Sequence, residues 1–195
     1  MTRLERLSQE ARACRICEAH LPLGPRPVFR VSTTARLLII GQAPGRLVHQ
    51  TGIPWNDRSG DRLRDWLGLV REVFYDQRRI AIVPIGFCFP GTDKNGGDNP
   101  PRPECAPAWQ ARFLALMPRI ELTLLVGSYA QAFHLGAGRN PSMTETVAAW
   151  RDRPENLLAL PHPSWRNTGW LSRNPWFERE LLPVLRRRVA ALVRV

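Results

Sequence analysis

Two short loops contain residue types that could support chemistry. The first, GQAPG at residues 41–45, combines two glycines and a proline, so its backbone can approach a ligand closely. The second, GIPWND at residues 52–57, places the flat ring of Trp55 beside the amide of Asn56 and the carboxylate of Asp57. This combination is typical of a ligand-binding region, although an ordinary strand-to-helix connection with a buried tryptophan would have the same pattern.

A histidine between two prolines is a third candidate. His162 stands in the sequence PHPS, directly after an apolar segment. Proline on each side restricts the backbone and therefore fixes the direction of the imidazole. A neutral histidine held in this way can donate a hydrogen bond to a developing oxyanion. A structural histidine that caps a turn is the alternative interpretation.

Four cysteines form a C-x2-C pair, Cys14 and Cys17, and a widely spaced pair, Cys88 and Cys105. Disulfides are rare in the cytoplasm, and a zinc site usually combines two close pairs, which the second spacing does not provide. A 4Fe–4S cluster needs only four thiolates that converge in space. The pattern therefore favours an iron–sulfur cluster, with zinc or four unlinked buried cysteines as the alternatives.

The elements that position these residues follow from the apolar pattern. Short apolar runs predict strands at residues 37–40, 80–85, 120–126 and 157–160. Helical spacing predicts helices over 3–19, from a cap at Ser59 through Val70, over about 105–117, after Gly127–Ser128, and from Asn174–Pro175 with a kink at Pro183. Because strands and helices alternate, we predict one domain over residues 1–195 with a three-layer α/β/α fold around a central parallel four-stranded sheet. Ligands bind such sheets at the carboxyl ends of the strands, where the loops that carry Gln42 and His162 begin.

Charge and composition narrow the class of partner. The formal net charge is +11, and Lys94 is the only lysine among 28 basic residues. A strongly basic, arginine-rich chain suits nucleic acid, although genomic base composition can also replace lysine by arginine. No apolar run approaches the roughly 18 residues needed to cross a membrane. Since the N-terminal residues also lack the apolar segment of a secretory signal, we expect a cytoplasmic protein.

Taken together, the motifs resemble those of the uracil-DNA glycosylase superfamily, most closely its iron–sulfur branch, family 4. That branch has a GEAPG-like first motif, a GxPFxGxxG loop, an HPS motif and four cluster cysteines. The counterparts here are GQAPG at 41–45, GIPWNDRSG at 52–60, HPS at 162–164, and Cys14, Cys17, Cys88 and Cys105. The segments CFPG, PPRPEC and LLVGSYAQAF also look like family segments, so the resemblance extends from about residue 14 to the last helix.

The resemblance implies an enzyme that removes uracil or a related deaminated base from flipped-out nucleotides in DNA. It would be monofunctional, because no lysine is placed for Schiff-base chemistry, and we expect it to be a monomer. Base binding is expected from Gln42, Ala43, Trp55, Asn56 and His162, and Gln42 and Asp57 are further candidate catalytic residues at positions where the chain departs from the family. The resemblance implies catalysis by His162. It implies DNA contacts from Ser164, Trp165, Arg166 and Asn167, and a 4Fe–4S cluster on the four cysteines.

The sequence departs from the family pattern at acidic and amide positions. Gln42 and Val48 stand where the family has acids, Asp57 replaces a glycine, and Pro84 replaces the asparagine that recognises uracil. A second family asparagine aligns with Asp93, although Asn95 and Asn99 are near. Asp57 either supplies the missing charge or caps the next turn. A catalytically impaired nucleic-acid-binding protein and a nucleotide-binding or nucleoside-hydrolysing enzyme are therefore the alternative functions.

Overall fold

The computed structural model describes residues 1–193 and confirms the predicted three-layer architecture. Within these residues the strands are β1 (Leu37–Ile40), β2 (Ile80–Ile82), β3 (Leu122–Val126) and β4 (Leu157–Leu160). They form one four-stranded sheet in the order β2–β1–β3–β4, and each neighbouring pair is parallel. The chain moves outward from β1 to β2 and then returns to the other side of β1. This reversal of strand order opens a crevice at the carboxyl ends of β1 and β3.

Helices cover both faces of the sheet. They are α1 (Arg3–Arg12), α2 (Arg46–Thr51), α3 (Arg58–Leu67), α4 (Arg71–Phe74), α5 (Cys105–Ala115), α6 (Ser128–Leu135), α7 (Met143–Ala148), α8 (Thr168–Arg173) and α9 (Leu182–Val193). Short 3₁₀ turns occur at Glu18–His20, Gly136–Gly138, Ala149–Arg151 and Trp165–Asn167. Among the described helices none has both the length and the apolar character needed to cross a membrane.

The two faces of the sheet carry separate hydrophobic cores. Successive side chains of a strand point to opposite faces, and accordingly Leu37 and Ile39 belong to one core while Leu38 and Ile40 belong to the other. The first core includes residues of α3 and α9, and the second includes residues of α1 and α5. Every residue of β1 is buried, so the loop that follows this strand starts from a fixed point.

Two predicted helices have wrong boundaries. The first helix ends at Arg12 rather than at residue 19, and the cysteine pair lies in the turn that follows it. The helix predicted to start from Ser59 is capped instead by Asp57, whose Oδ1 accepts a hydrogen bond from the Gly60 N–H at 2.8 Å. That helix ends at Gly68, which has a left-handed conformation. Val70 therefore lies outside it and is 62% exposed.

Smaller differences occur at the strand ends and in the last helix. β2 ends at Ile82 rather than at residue 85, and β3 begins at Leu122 rather than at residue 120. The irregularity predicted at Pro183 takes the form of a π-helical turn, Phe177–Leu181, immediately before α9. Proline has no N–H for the helical ladder, so a wider turn can precede it. The side chain of Asn174 provides no N-cap; it donates to the Trp170 carbonyl and accepts from the indole N–H of Trp176.

Candidate active site

A cleft of about 500 Å³ lies at the carboxyl end of the sheet, where the loops after β1, β3 and β4 meet. Most of the residues singled out from the sequence line it: Gln42, Ala43, Trp55, Asp57, His162, Ser164, Trp165, Arg166 and Asn167. Its volume is within the range of small-molecule pockets, and its wall combines apolar surface with a few polar groups. The tertiary structure thus brings together loops that are more than a hundred residues apart in sequence.

The backbone of the first loop is held from the neighbouring strand. The Ile85 N–H donates to the Gly41 carbonyl at 2.9 Å, and the Gly86 N–H donates to the Gln42 carbonyl at 2.8 Å. An added Cβ at Gly86 would lie only 3.2 Å from the Cβ of Ala43. These contacts fix the path of the Gln42–Ala43 backbone along the floor of the cleft.

The indole of Trp55 lies beside the imidazole of His162. The ring centroids are 5.5 Å apart, and the ring planes are inclined by 35°. The indole also lies against Gly41, where an added Cβ would approach Cζ2 to 2.7 Å. Only glycine therefore leaves room for the indole at this position. A planar ligand in the cleft can contact both the aromatic surface and the histidine.

His162 is held by its own loop and by the end of β3. The side-chain amide of Asn167 donates to the His162 carbonyl at 2.7 Å. Gly127, with φ +88°, packs close to the imidazole. His162 keeps some exposed surface because it faces the cleft, but dense protein surrounds it on the remaining sides. This burial lowers the pKa of His162, and the nearby Asp57 carboxylate partly opposes that effect. The imidazole is therefore neutral at neutral pH and has an N–H to donate.

Asp57 caps the next helix and also lies at the cleft. Its Oδ1 caps α3, and the same carboxylate lines the cleft close enough to His162 to influence its ionisation. A second carboxylate, Asp98, also lines the cleft, and burial together with the charge of Asp57 raises its pKa. Sequence reasoning missed Asp98, because the irregular loop that carries it has no periodicity to indicate its direction.

The positions that depart from the family pattern also lie at the cleft. Val48 and Pro84 form part of its wall, and they supply no carboxylate and no amide. Asn56 is not brought to the cleft; its Oδ1 accepts a hydrogen bond from the Arg71 guanidinium at 2.7 Å instead. Tyr129, at the start of α6, is a lining residue that was not selected from the sequence. The only indication of it was its place directly after a strand and a glycine.

The rim of the cleft carries an exposed aromatic and basic loop. Trp165 is 74% exposed, and the guanidinium of Arg166 lies over its ring at 5.5 Å from the centroid. Arg62 of α3 donates to the Ser164 carbonyl at 3.0 Å and ties this loop to the helix. An exposed ring and a cation on a fixed loop form a suitable surface for stacking on bases and for binding phosphate.

The four cysteines, Cys14, Cys17, Cys88 and Cys105, are free thiols. Cys17 and Cys105 are buried, while Cys14 and Cys88 are half-buried. Burial and the neighbouring thiols raise the pKa of Cys88 to about 11 and that of Cys105 to about 12. The Phe87 N–H donates to Cys105 Sγ at 3.3 Å, which is a contact that stabilises a bound thiolate.

All four candidate ligands at the cysteines are thiols, which suit an iron–sulfur cluster or zinc. In the part of the chain that the structure describes, no group of three or more His, Cys, Asp or Glu side chains is arranged to hold a metal ion. The donor chemistry fits iron–sulfur, because all four donors are thiols and each thiolate of a 4Fe–4S cluster binds a different iron. The iron–sulfur cluster remains a prediction.

The fold and the cleft define an α/β protein whose candidate site lies where the strand order of a parallel sheet reverses. Comparison of the chain with known protein families identifies the family within this fold class. The family model of the uracil DNA glycosylase superfamily matches residues 29–186. This chain belongs to the uracil-DNA glycosylase superfamily. The matched segment includes Cys88 and Cys105 but begins after Cys14 and Cys17, so it does not test the iron–sulfur branch.

Proposed function

We propose that this protein is a monofunctional DNA glycosylase that hydrolyses the N-glycosidic bond of uracil or another deaminated base. The observation that carries the proposal is the convergence of Trp55 and His162, with ring centroids 5.5 Å apart, in a cleft built on the superfamily fold. The cleft is large enough for a single base. A base inside a duplex cannot reach such a site, so the nucleotide must first be flipped out of the stack.

The charges that develop during the reaction define the roles of the two rings. Cleavage of the N-glycosidic bond leaves negative charge on the departing base and positive charge on the sugar. Trp55 offers a flat surface on which the base stacks, and the fixed backbone of Gln42 and Ala43 limits the space beside it. The neutral imidazole of His162 donates a hydrogen bond to the base oxygen on which negative charge accumulates. Such a donor accelerates the reaction by about a hundredfold or more.

Activation of water must use groups other than the family's acids. Gln42 carries an amide, and Val48 carries no polar atom. Asp57 is the carboxylate that lies in the cleft near His162, and we assign it to the stabilisation of the sugar cation or the orientation of water. The amide of Gln42 can hold the same water by hydrogen bonding.

DNA binding is assigned to the loop after His162 and to the basic surface. The net charge of +11 favours contact with phosphates. Trp165 is exposed at the rim and can stack in the space that the flipped nucleotide leaves, with Arg166 close enough to bind a phosphate. Ser164 and Asn167 hold this loop, since Arg62 bonds the Ser164 carbonyl and the Asn167 amide bonds the His162 carbonyl.

A 4Fe–4S cluster on Cys14, Cys17, Cys88 and Cys105 forms part of the proposal. Four free thiols, the neighbouring thiols that raise the pKa of Cys105, and an N–H donor to Cys105 support it. When bound, the cluster would join the N-terminal segment to the loop between β2 and α5. Its contribution would be to order that loop, and the residues of the cleft would perform the base excision.

The test uses purified protein and duplexes that contain uracil, hypoxanthine or xanthine, with a thymine duplex as the control. Abasic sites are detected by alkaline cleavage of the labelled strand. We expect abasic sites with at least one deaminated base, no strand scission without alkali, and no reaction with thymine. Binding of all duplexes without any abasic site would contradict the proposal.

One observation favours a second candidate, a nucleic-acid-binding protein without catalytic activity. Gln42 and Val48 replace both acids of the family motif, and the structure places both residues at the cleft. Under this candidate the duplexes bind through the basic rim but stay intact. The same assay therefore separates the two functions.

A further inference from the structure

Trp55 has a backbone conformation that is unfavourable for its residue type. Its φ is +56°, and among residues 1–193 it is the only non-glycine residue with a positive φ. A bulky side chain rarely adopts this left-handed region, because its Cβ crowds the backbone. Such strain is found mainly where surrounding contacts enforce it, frequently at functional sites. The contacts around Trp55 therefore need an explanation.

Two side chains hold the carbonyl group of this strained residue. Nη1 of Arg64 donates to the Trp55 oxygen at 3.1 Å. The hydroxyl of Tyr75 lies 3.2 Å from the same oxygen and 3.0 Å from the Pro54 oxygen, and it accepts from Nη1 of Arg64 at 3.2 Å. The two donors thus bind the loop and each other. We name this pair, Arg64 and Tyr75, the Trp55 clamp.

The clamp uses a buried charge where a purely structural contact would not need one. Arg64 is only 7% exposed, and its guanidinium also pairs with the carboxylate of Asp61. Burying a guanidinium has a desolvation cost, and hydrophobic residues of similar volume often stabilise a protein equally well. Hydrogen bonds from a charged donor are stronger and more directional than neutral ones. The arrangement thus favours fixed geometry over simple packing.

Two glycines close the remaining sides of the loop. An added Cβ at Gly60 would lie 1.7 Å from the Trp55 oxygen, and one at Gly41 would lie 2.7 Å from the indole. The carbonyl is therefore confined between Gly60 and the clamp, while the indole is confined between Gly41 and the cleft. A change at the clamp would release the carbonyl, and the indole would turn with it.

We propose that Arg64 and Tyr75 are positioning residues that hold Trp55 in the left-handed conformation required for stacking on the flipped base. The proposal rests on the glycosylase function proposed above. Neither residue lines the cleft, so both act through Trp55. Loss of the clamp lowers the rate of the bond-breaking step and leaves the affinity for DNA unchanged, because the rim residues that bind the duplex remain in place.

The test compares two clamp variants with two controls. Tyr75→Phe removes only the hydroxyl, and Arg64→Met removes the charged donor but keeps a side chain of similar length. Asp61→Asn removes the exposed partner of Arg64 and leaves the clamp intact. Thr144→Val removes a hydrogen bond of comparable strength outside the cleft, from the indole of Trp170 at 2.8 Å, and so controls for a general loss of stability.

The first measurement does not depend on activity. Protein labelled with 5-fluorotryptophan gives ¹⁹F resonances from its seven tryptophans, and Trp55→Phe identifies the resonance of Trp55. We expect Tyr75→Phe and Arg64→Met to shift or broaden that resonance, with no change in Asp61→Asn or Thr144→Val. A Trp55 resonance unchanged in both clamp variants, or changed equally in the controls, would overturn the proposal. If Arg64→Met does not fold, Tyr75→Phe decides the result alone.

The second measurement is the single-turnover rate with a uracil duplex at saturating protein. We expect the rate to fall about fivefold in Tyr75→Phe and about 30-fold in Arg64→Met, as for a neutral and a charged hydrogen bond. A moved resonance with an unchanged rate would overturn the positioning role. If the resonance moves in the clamp variants but the wild-type protein cuts none of the deaminated duplexes, the glycosylase proposal is wrong. The clamp is then an observed contact with no catalytic role.

Discussion

The cleft and the cysteine corner are both built from loops, but they hold their polar groups in different ways. In the cleft the carbonyl of Trp55, the carboxylate of Asp57 and the carbonyl of His162 each accept hydrogen bonds from the protein. At the cysteine corner, formed by Cys14, Cys17, Cys88 and Cys105, the Phe87 N–H donates a hydrogen bond to Cys105 Sγ. Burial raises the pKa of three of these thiols.

The cleft is therefore already organised, whereas the charge state of the cysteine corner depends on a ligand. The cleft needs no further group to fix the indole and the imidazole. The three thiols with raised pKa, Cys17, Cys88 and Cys105, stay protonated at neutral pH unless a cation stabilises the thiolates, and metal binding is the usual way to achieve this.

Gly60→Ala should have the largest effect, because Gly60 is the most closely confined of the glycines and packs against the Trp55 loop. The added Cβ would lie 1.7 Å from the Trp55 oxygen, a backbone atom that cannot move aside cheaply. We expect the free energy of unfolding, measured with urea, to fall by about 4 kcal/mol. Gly138→Ala is the matched control, because an added Cβ there has no neighbour within 4 Å. Equal stability of the two variants would show that the loop is not confined.

His162→Ala tests the chemistry of the cleft. Loss of the hydrogen-bond donor should slow base excision by about 100- to 1000-fold, measured as the single-turnover rate on a deaminated duplex. DNA binding should remain, since the rim loop is unchanged. His20→Ala, at an exposed position away from the cleft, should retain full activity. Excision at the wild-type rate in His162→Ala would remove the imidazole from the mechanism.

Cys105→Ser tests the proposed iron–sulfur cluster at the cysteine corner. We expect anaerobically purified protein to be brown, to contain iron and sulfide, and to bleach on reduction. The substitution should remove most of the iron and lower the free energy of unfolding by about 2 kcal/mol, since a ligand that binds only the folded state stabilises it. After iron is removed from both proteins, the difference should largely disappear. A colourless wild-type protein with stoichiometric zinc would contradict the iron–sulfur proposal.

Asp57→Asn should have the smallest effect on stability and a defined effect on pH dependence. Asparagine also caps helices, so α3 should persist. The Asp57 carboxylate raises the pKa of His162 against the lowering by burial. The variant should therefore have a lower His162 pKa, and the acidic limb of the rate profile should move to lower pH. An NMR titration of His162 measures the pKa directly, and an unmoved value would mean that Asp57 acts only as a cap.

The lowered pKa of His162 also fixes the sign of its contribution to stability. Below the ordinary histidine value of 6.5 the unfolded chain binds a proton that the folded chain does not. Stability from this group is therefore complete above that pH and is lost as the pH falls below it. His49 and His134 also have pKa values lowered by burial and contribute in the same direction. Of the stability lost at low pH, only the portion that is absent in His162→Ala comes from the histidine of the cleft.

The sequence predicted the fold well because its evidence is local. Four apolar runs separated by helical patterns indicate a parallel sheet without any knowledge of distant contacts. The same reasoning placed the end of the first helix too late and chose Ser59 rather than Asp57 as a cap. Two neighbouring polar residues can each cap a helix, and only the backbone conformation selects between them.

Site residues that stand in a motif directly after a strand were predicted, and those that depend on distant contacts were missed. Gln42 and His162 follow β1 and β4, and the sheet brings both to the cleft. Tyr75 lies 20 residues from Trp55 in sequence, and no spacing rule connects them. Asn56 was predicted to face the base, but its side chain bonds Arg71 instead. A loop pattern does not specify the direction of each side chain.

The sequence by itself determined the order of strands and helices, the loops that follow the strands, and the residue types available for chemistry. Tertiary structure decided that Trp55 and His162 stand side by side, that Asp57 serves both a helix and the cleft, and that Arg64 holds a strained carbonyl. The physical reason is the separation along the chain over which each kind of interaction acts. Propensity and periodicity act over a few residues, whereas a hydrogen bond or a ring contact depends on atoms that only the folded chain brings together.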